Sequence, residues 1–281
     1  MKVYLSSRLF VVALCNFICI TVLSQLHQPA HSSTTRIATV QTRWNYDPAT
    51  QPITLTELRR LIRSPKTTPT QHSLLINRAT KSRLLEYAVV EYDKARQARP
   101  ENPVLQSAFG SCVVGVNEFD WRYTPSNRTL LLSQRKAIVV KQATDAIENA
   151  VRGKGMNVSF CWWAFGYMKL VGFEVQVQRE YRSYKSGIDA LERAIELDPK
   201  NIDAHDRLAW GYLNPGRYKN VQRALQLARN ITEFSPKTAN AYYWQAMALF
   251  DLKKPQEAQA MMKKWQSLLP PNLRQKVPKS A

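Results

Sequence analysis

One spacing of small and large residues recurs along this chain, and it constrains the fold more than any other feature. A small residue is followed by a large one four positions later, by a second small one three positions after that, and then by proline. Residues three and four positions apart lie on one face of a helix, so the small pair allows a second helix to approach closely. Proline then ends the helix, because it has no amide hydrogen to donate. The copies are Ala88/Tyr92/Ala95/Pro100, Ala143/Ile147/Ala150/Gly155, Gly187/Leu191/Ala194/Pro199, Val221/Leu225/Ala228/Pro236 and Ala258/Met262/Trp265/Pro270. The second copy has glycine in place of proline, the fourth has three extra residues before its proline, and the fifth has tryptophan in a small-residue position.

Each copy follows a helix with its own pattern of bulky and small residues. The clearest are Trp162-x2-Phe165-Gly166, His205-x2-Leu208-Ala209-x2-Tyr212, Tyr242-x2-Gln245-Ala246-x2-Leu249 and Gln106-x2-Phe109-Gly110-x2-Val113, with His72-x2-Leu75-Ile76-x2-Ala79 a weaker member. These paired helices resemble the tetratricopeptide repeat (TPR), whose consensus is W-x2-L-G-x2-Y…A-x3-F…P over about 34 residues. The resemblance implies an all-α solenoid of about five helical hairpins over residues 69–272. The predicted repeats are about 69–102, 103–158, 159–201, 202–238 and 239–272.

Two of the predicted repeats carry insertions. One lies between Gly110 and Ala143 and contains NEFDWRYTPSNRT, and the other lies between Gly166 and Gly187 and contains FEVQVQREYRSY. Extended helices or a surface loop would both accommodate them. We expect the superhelix to be less regular around the second and third repeats.

The first 24 residues have the layout of an export signal, with a short basic start and an apolar run from Leu9 to Leu23. Such a run spans about 22 Å as a helix, less than the hydrocarbon core of about 30 Å. We favour a signal cleaved after Ser24, while a retained anchor and a segment with neither role stay open. Residues 25–68 are rich in Ser, Thr and Pro and predict a linker with a short amphipathic helix, TLTELRRLI.

The chain is strongly basic, with a formal net charge of +19. This charge indicates an anionic neighbour, and the segment 273–281 forms a basic tail. Export from the cytosol argues against nucleic acid. An anionic membrane or cell-wall polymer, bound through charge, therefore remains the alternative partner.

The residues give no constellation for catalysis, a metal or a cofactor, so we expect none of the three. The pair Gly110-x4-Gly115 has phosphate-loop spacing but lacks the Lys and Ser/Thr that the motif needs. His205 takes a core position of the repeat, and we interpret Asp203 and Asp206 beside it as solvated acids. Cys112 and Cys161 form a disulfide in one interpretation and are small buried hydrophobes in the other, which we favour.

The resemblance also implies a concave groove lined by the first helix of each repeat. At the groove positions of the last three repeats, four of six side chains are aromatic and one is methionine: Trp163, Tyr167, Asp206, Trp210, Tyr243 and Met247. The first two repeats have Ser73, Asn77, Ser107 and Ser111 there. A partner-binding surface, internal packing in a tight superhelix and a misaligned helix all remain open. Our expectation is a non-catalytic protein–protein interaction scaffold that is exported to the cell envelope.

Overall fold

The computed structural model describes residues 51–118, 136–171, 181–214 and 217–274, and these ranges contain helices and no strand. The predicted leader, residues 25–50 of the linker, the middle of both insertions and the chain after 274 lie outside the described residues. The helices are α1 Leu55–Arg63, α2 Pro69–Lys81, α3 Leu85–Ala98, α4 Pro103–Glu118, α5 Lys136–Arg152, α6 Ser159–Val171, α7 Tyr181–Leu197, α8 Ile202–Leu213, α9 Val221–Phe234, α10 Ala239–Asp251, α11 Pro255–Leu268 and α12 Pro271–Arg274.

From α2 to α11 the helices form consecutive hairpins, each packed on its neighbour along the chain. The first helix of each hairpin also contacts the first helix of the next, and α2 reaches across to α6. This order is that of a stacked solenoid, because each unit buries its apolar face against the following unit. The predicted all-α fold of helical hairpins is confirmed.

Side-chain caps fix where several helices begin. Thr68 and Gln71 form a reciprocal capping box at the start of α2, with Pro69 in its first turn. The side chain of Asn201 accepts a hydrogen bond from the Ala204 amide at 2.9 Å and begins α8. Such caps satisfy backbone amides that have no partner within the helix.

The small residues of the repeated spacing are where the helices of a hairpin touch. Ala88, Ala143, Ala194 and Ala258 are 0% exposed. A Cβ atom added at Gly110 on α4 would lie 2.4 Å from Cγ1 of Ile147 on α5. One added at Gly166 on α6 would lie 2.6 Å from Cγ of Leu191 on α7.

The described part of each insertion continues the flanking helices. Helix α4 has 16 residues and α5 and α7 have 17 each, compared with 12 in α8 and 14 in α9. The described ends of both insertions are therefore helical, and the remainder of each insertion lies outside the described residues.

The predicted amphipathic helix forms as α1 and packs against α3. Leu58 and Ile62 of α1 are 0% exposed. Arg59 and Arg63 bind the carboxylate of Glu91 on α3, which is 2% exposed, at 3.0 and 2.8 Å. Burial alone would raise the pKa of Glu91, but hydrogen bonds from Arg63 and Arg59 outweigh it and hold the pKa below its ordinary value. Glu91 therefore ties α1 to the first hairpin as a carboxylate.

No helix in the described part of the chain is long and apolar enough to span a membrane.

We predict that Gly110→Ala destabilises the protein by about 1–3 kcal/mol, because the new methyl group overlaps Ile147. Ile147→Ala alone should cost about 2–5 kcal/mol through the cavity it leaves. In the double variant the new methyl group enters that cavity, so the free energy of unfolding should fall by less than the sum of the decreases in the two single variants. Urea denaturation of the four proteins measures this coupling. Additive losses would show that the two side chains do not share this space.

Candidate partner-binding groove

The predicted groove residues lie on the first helices of the last three repeats. Trp163 and Tyr167 are on α6, Asp206 and Trp210 on α8, and Tyr243 and Met247 on α10. The members of each pair are four residues apart, which places them on one helix face. The resemblance-based assignment of these residues to one side of each helix is thus consistent with the helix boundaries.

Three of these six side chains lie inside the protein. Trp163, Tyr167 and Tyr243 are 6%, 4% and 1% exposed. The rings of Trp163 and Tyr167 stack on each other, with centroids 5.6 Å apart and planes inclined by 19°. Side chains this buried reach a partner only after neighbouring helices move. Their partner-binding role stays a prediction.

The groove positions of the first two repeats carry small serine side chains that are buried as well. Ser73 on α2 is 5% exposed, and Ser107 and Ser111 on α4 are 0% exposed. Helix α6 packs on α4 and contacts α2. A Cβ added at Gly115 of α4 would lie 3.7 Å from the hydroxyl oxygen of Tyr167, so this ring extends to α4. We call these buried groove positions, which are Ser73, Ser107, Ser111, Trp163 and Tyr167, the filled half of the groove.

Asp203 on α8 joins this filled half to the first repeat. Its carboxylate accepts hydrogen bonds from the hydroxyl of Ser73 and, at 3.1 Å, from the side-chain amide of Asn77. Both donors are on α2, which is six helices before α8 along the chain. Burial raises the pKa of Asp203, although the hydrogen bonds from Ser73 and Asn77 oppose that shift.

The sequence-based interpretation of Asp203 and Asp206 as solvated acids is wrong. Both are partly buried, and each accepts a hydrogen bond from another repeat. The indole nitrogen of Trp244 on α10 donates to Asp206 at 2.7 Å. The sequence pattern places both acids on α8 but carries no information about which helices face them. His205 is 1% exposed, as expected of a core position.

Arg207 connects the filled half of the groove with the accessible half. This residue is 8% exposed. Its guanidinium carbon lies 4.5 Å from the ring centroid of Tyr167 and 5.2 Å from that of Trp210. A cation held between two aromatic faces is attracted by both. Arg207 therefore fixes the position of Trp210 relative to the buried rings.

The accessible half consists of Asp206, Trp210 and Met247, which we call the open patch. All three are partly exposed. They lie on α8 and α10, whose faces are joined by the bond between Trp244 and Asp206. The open patch combines an aromatic ring, a flexible thioether and one carboxylate, a set suited to apolar contact with a polar anchor.

The described residues hold no group of three or more His, Cys, Asp or Glu side chains arranged for a metal ion. Cys112 and Cys161 are both free and buried. Burial raises the pKa of the Cys161 thiol to about 11 and raises that of Cys112 further. Both thiols are therefore protonated at neutral pH and behave as small apolar side chains.

Comparison with solved structures finds the same architecture. The crystal structure of TTC0263, a thermophilic TPR protein in Thermus thermophilus, is similar with a TM-score of 0.53 and 12% identity, over 75% of this chain and 96% of that one. The crystal structure of MamA has a TM-score of 0.44 and 17% identity, over 68% and 92%. That of YrrB, a TPR protein with an unusual peptide-binding site, has 0.43 and 20%, over 79% and 96%.

No model of a protein family matches the chain, and no curated protein matches it. The similarity to TTC0263 is one of fold. It confirms the TPR-like solenoid that the repeated spacing predicts.

We predict that Trp163→Ala lowers the free energy of unfolding by about 3–5 kcal/mol, as truncation of a buried tryptophan does. Trp210→Ala should cost less, because part of that ring is already in water. Urea denaturation with circular dichroism measures both. Met156→Ala, which removes a side chain that is 55% exposed, is the control and should change stability little. Equal losses for the two tryptophans would contradict the division of the groove into a filled and an accessible half.

Proposed function

We propose that this protein is a non-catalytic scaffold that binds a segment of a protein partner in the open patch of its groove. The observation that carries the proposal is that Trp210 and Met247 are partly exposed at groove positions, whereas the filled half of the same groove is buried. Stacked helical repeats create extended concave surfaces that bind other chains. The TPR-like fold supports a role of this kind.

The chemistry of the open patch favours an apolar segment. Tryptophan and methionine provide large contact areas, and tryptophan is enriched among the residues that contribute most to binding. Arg207 holds the Trp210 ring from one side, with its guanidinium carbon 5.2 Å from the ring centroid. A ring that is already oriented loses less freedom when a partner binds.

We further propose that the protein acts at the cell envelope after export. The support is the sequence of residues 1–24, with its basic start and short apolar run. These residues lie outside the described ranges, so this part of the proposal depends on sequence alone.

We expect the protein to select peptides with apolar anchors from a phage-displayed library of random peptides. For a selected peptide, Trp210→Ala and Met247→Ala should each weaken binding by about tenfold or more, equivalent to about 1.4 kcal/mol. Fluorescence anisotropy of the labelled synthetic peptide measures the dissociation constants.

Tyr87→Ala is the matched control, because Tyr87 is an aromatic residue of α3 that is 39% exposed and lies outside the groove positions. If Tyr87→Ala weakens peptide binding as much as Trp210→Ala does, the open patch is refuted as the site. Repeating the titrations at rising salt concentration distinguishes this proposal from the competing one, in which the protein binds anionic partners through charge. Charge-driven binding weakens steeply as salt rises, whereas binding through apolar contact persists. Selected peptides that are acidic and lose affinity with salt would favour that competitor.

The mature protein should begin at Gln25, because we expect the leader to be cleaved after Ser24. N-terminal sequencing of protein recovered from fractionated source cells checks this. A chain that retains Met1 and sediments with membranes would indicate an anchor, which keeps the envelope location. A chain that retains Met1 and stays in the cytosolic fraction would refute export.

A further inference from the structure

The hydrogen bonds of Asp203 join two repeats that are not neighbours. Solenoid repeats contact the units before and after them, because each repeat stacks on the next. The bond between Trp244 and Asp206 is of this ordinary kind, since α8 and α10 belong to successive repeats. Asp203, in contrast, binds Ser73 and Asn77, which lie 130 and 126 residues away on the first repeat.

These bonds close the superhelix on itself over the filled half of the groove. Helix α2 lies on one side and α8 on the other, and Trp163 and Tyr167 of α6 are buried, at 6% and 4% exposure. If α2 and α8 separate, the two stacked rings gain access to solvent along the groove. The closed form therefore hides aromatic surface that would extend the open patch.

The contact that closes the groove is polar and small. Each hairpin interface buries alanine and leucine side chains that no solvent reaches, such as Ala194 and Leu191. The groove face of α2 presents Ser73 and Asn77 instead, and their partner is the single carboxylate of Asp203. When this contact opens, water takes the place of the hydrogen bonds and hydrates the carboxylate, whereas water cannot replace apolar packing. The closing contact is thus the weakest link between the helices that surround the groove.

A second observation shows that the closed form leaves a polar group unsatisfied. The hydroxyl oxygen of Ser111 on α4 is buried and has no hydrogen-bond partner. A buried hydroxyl without a partner is unfavourable, and contact with water or with a bound ligand removes that penalty. Ser111 occupies a groove position, so an opening that exposes this position would relieve the penalty.

The geometry points to Asp203 as an autoinhibitory latch that holds the first and fourth repeats together and keeps Trp163 and Tyr167 from a partner. Breaking the latch shifts the equilibrium toward an open groove. A segment that binds across both halves must supply the free energy of opening, and removing the latch lowers that requirement.

Distances between spin labels test the latch directly. Labels at Leu74→Cys on α2, where the native side chain is 50% exposed, and at exposed Lys200→Cys just before α8 report the separation of the two repeats. Cys15 and Cys19 are replaced by serine in every sample, and the buried Cys112 and Cys161 label slowly. Pulsed electron paramagnetic resonance should give a single short distance between the two labels in the otherwise native chain. Asp203→Ala and the double variant Ser73→Ala/Asn77→Ala should each add a population at longer distance.

Asp189→Ala is the control, because it also removes one aspartate but from an exposed pair with Lys185 on α7; it should leave the distance unchanged. Circular dichroism confirms that each variant is folded, and if Asp203→Ala unfolds, the double variant on α2 decides. An unchanged distance in folded latch variants would overturn the proposal.

The autoinhibitory part rests on the proposed function and has its own measurement. A peptide selected by Asp203→Ala should bind that variant several-fold more tightly than it binds the otherwise native chain, and Trp163→Leu should remove that gain. A longer distance without a gain in affinity would overturn autoinhibition while leaving the opening established. Failure to select any peptide counts against the proposed function alone, because the distance measurement needs no partner.

Discussion

Close contact between helices at small residues is the interaction on which the rest of this structure depends. Gly110 faces Ile147, and Gly166 faces Leu191, at separations that leave no room for a further methyl group. Because a glycine on one helix meets a branched aliphatic residue on the other, these two hairpins have a defined register. A defined register in every hairpin then fixes which side chains of the first helices face the groove.

Residue size along that groove decides which half is open. The first two repeats have Ser73, Asn77, Ser107 and Ser111 at the positions where the third has Trp163 and Tyr167, and both of these rings are buried. In the last two repeats Asp206, Trp210 and Met247 remain partly exposed. Different residues at equivalent positions of one repeat architecture thereby give buried side chains in the third repeat and three partly exposed ones in the last two, where Tyr243 alone is buried.

The fold could be predicted from sequence because its signal is local. The spacing from Gly187 to Pro199 describes one helix and its end, and a repeat of that spacing describes the stack. Whether Trp163 or Trp210 is accessible could not be predicted in the same way. Accessibility depends on the pitch of the superhelix, which brings α2 near α6 and α8 from far away in the chain. Asp203 illustrates the limit, because its pattern suggested a solvated acid whereas its donors lie 126 and 130 residues earlier.

The geometry of the open patch restricts the shape of a partner segment. Trp210 and Met247 lie on α8 and α10, which are in contact, and contacting helices have axes about 8–10 Å apart. An extended chain advances about 3.3 Å per residue, so two of its anchors at this separation lie about three residues apart. A helix advances about 1.5 Å per residue, so the corresponding anchors are about five to seven residues apart, and of these spacings only seven, about two turns, returns to the same helix face. Side chains two residues apart on an extended strand point the same way, and three apart point to opposite faces, so an extended segment must twist to use both anchors. We therefore expect a helical segment with apolar residues seven positions apart to match the proposed site better than an extended strand does.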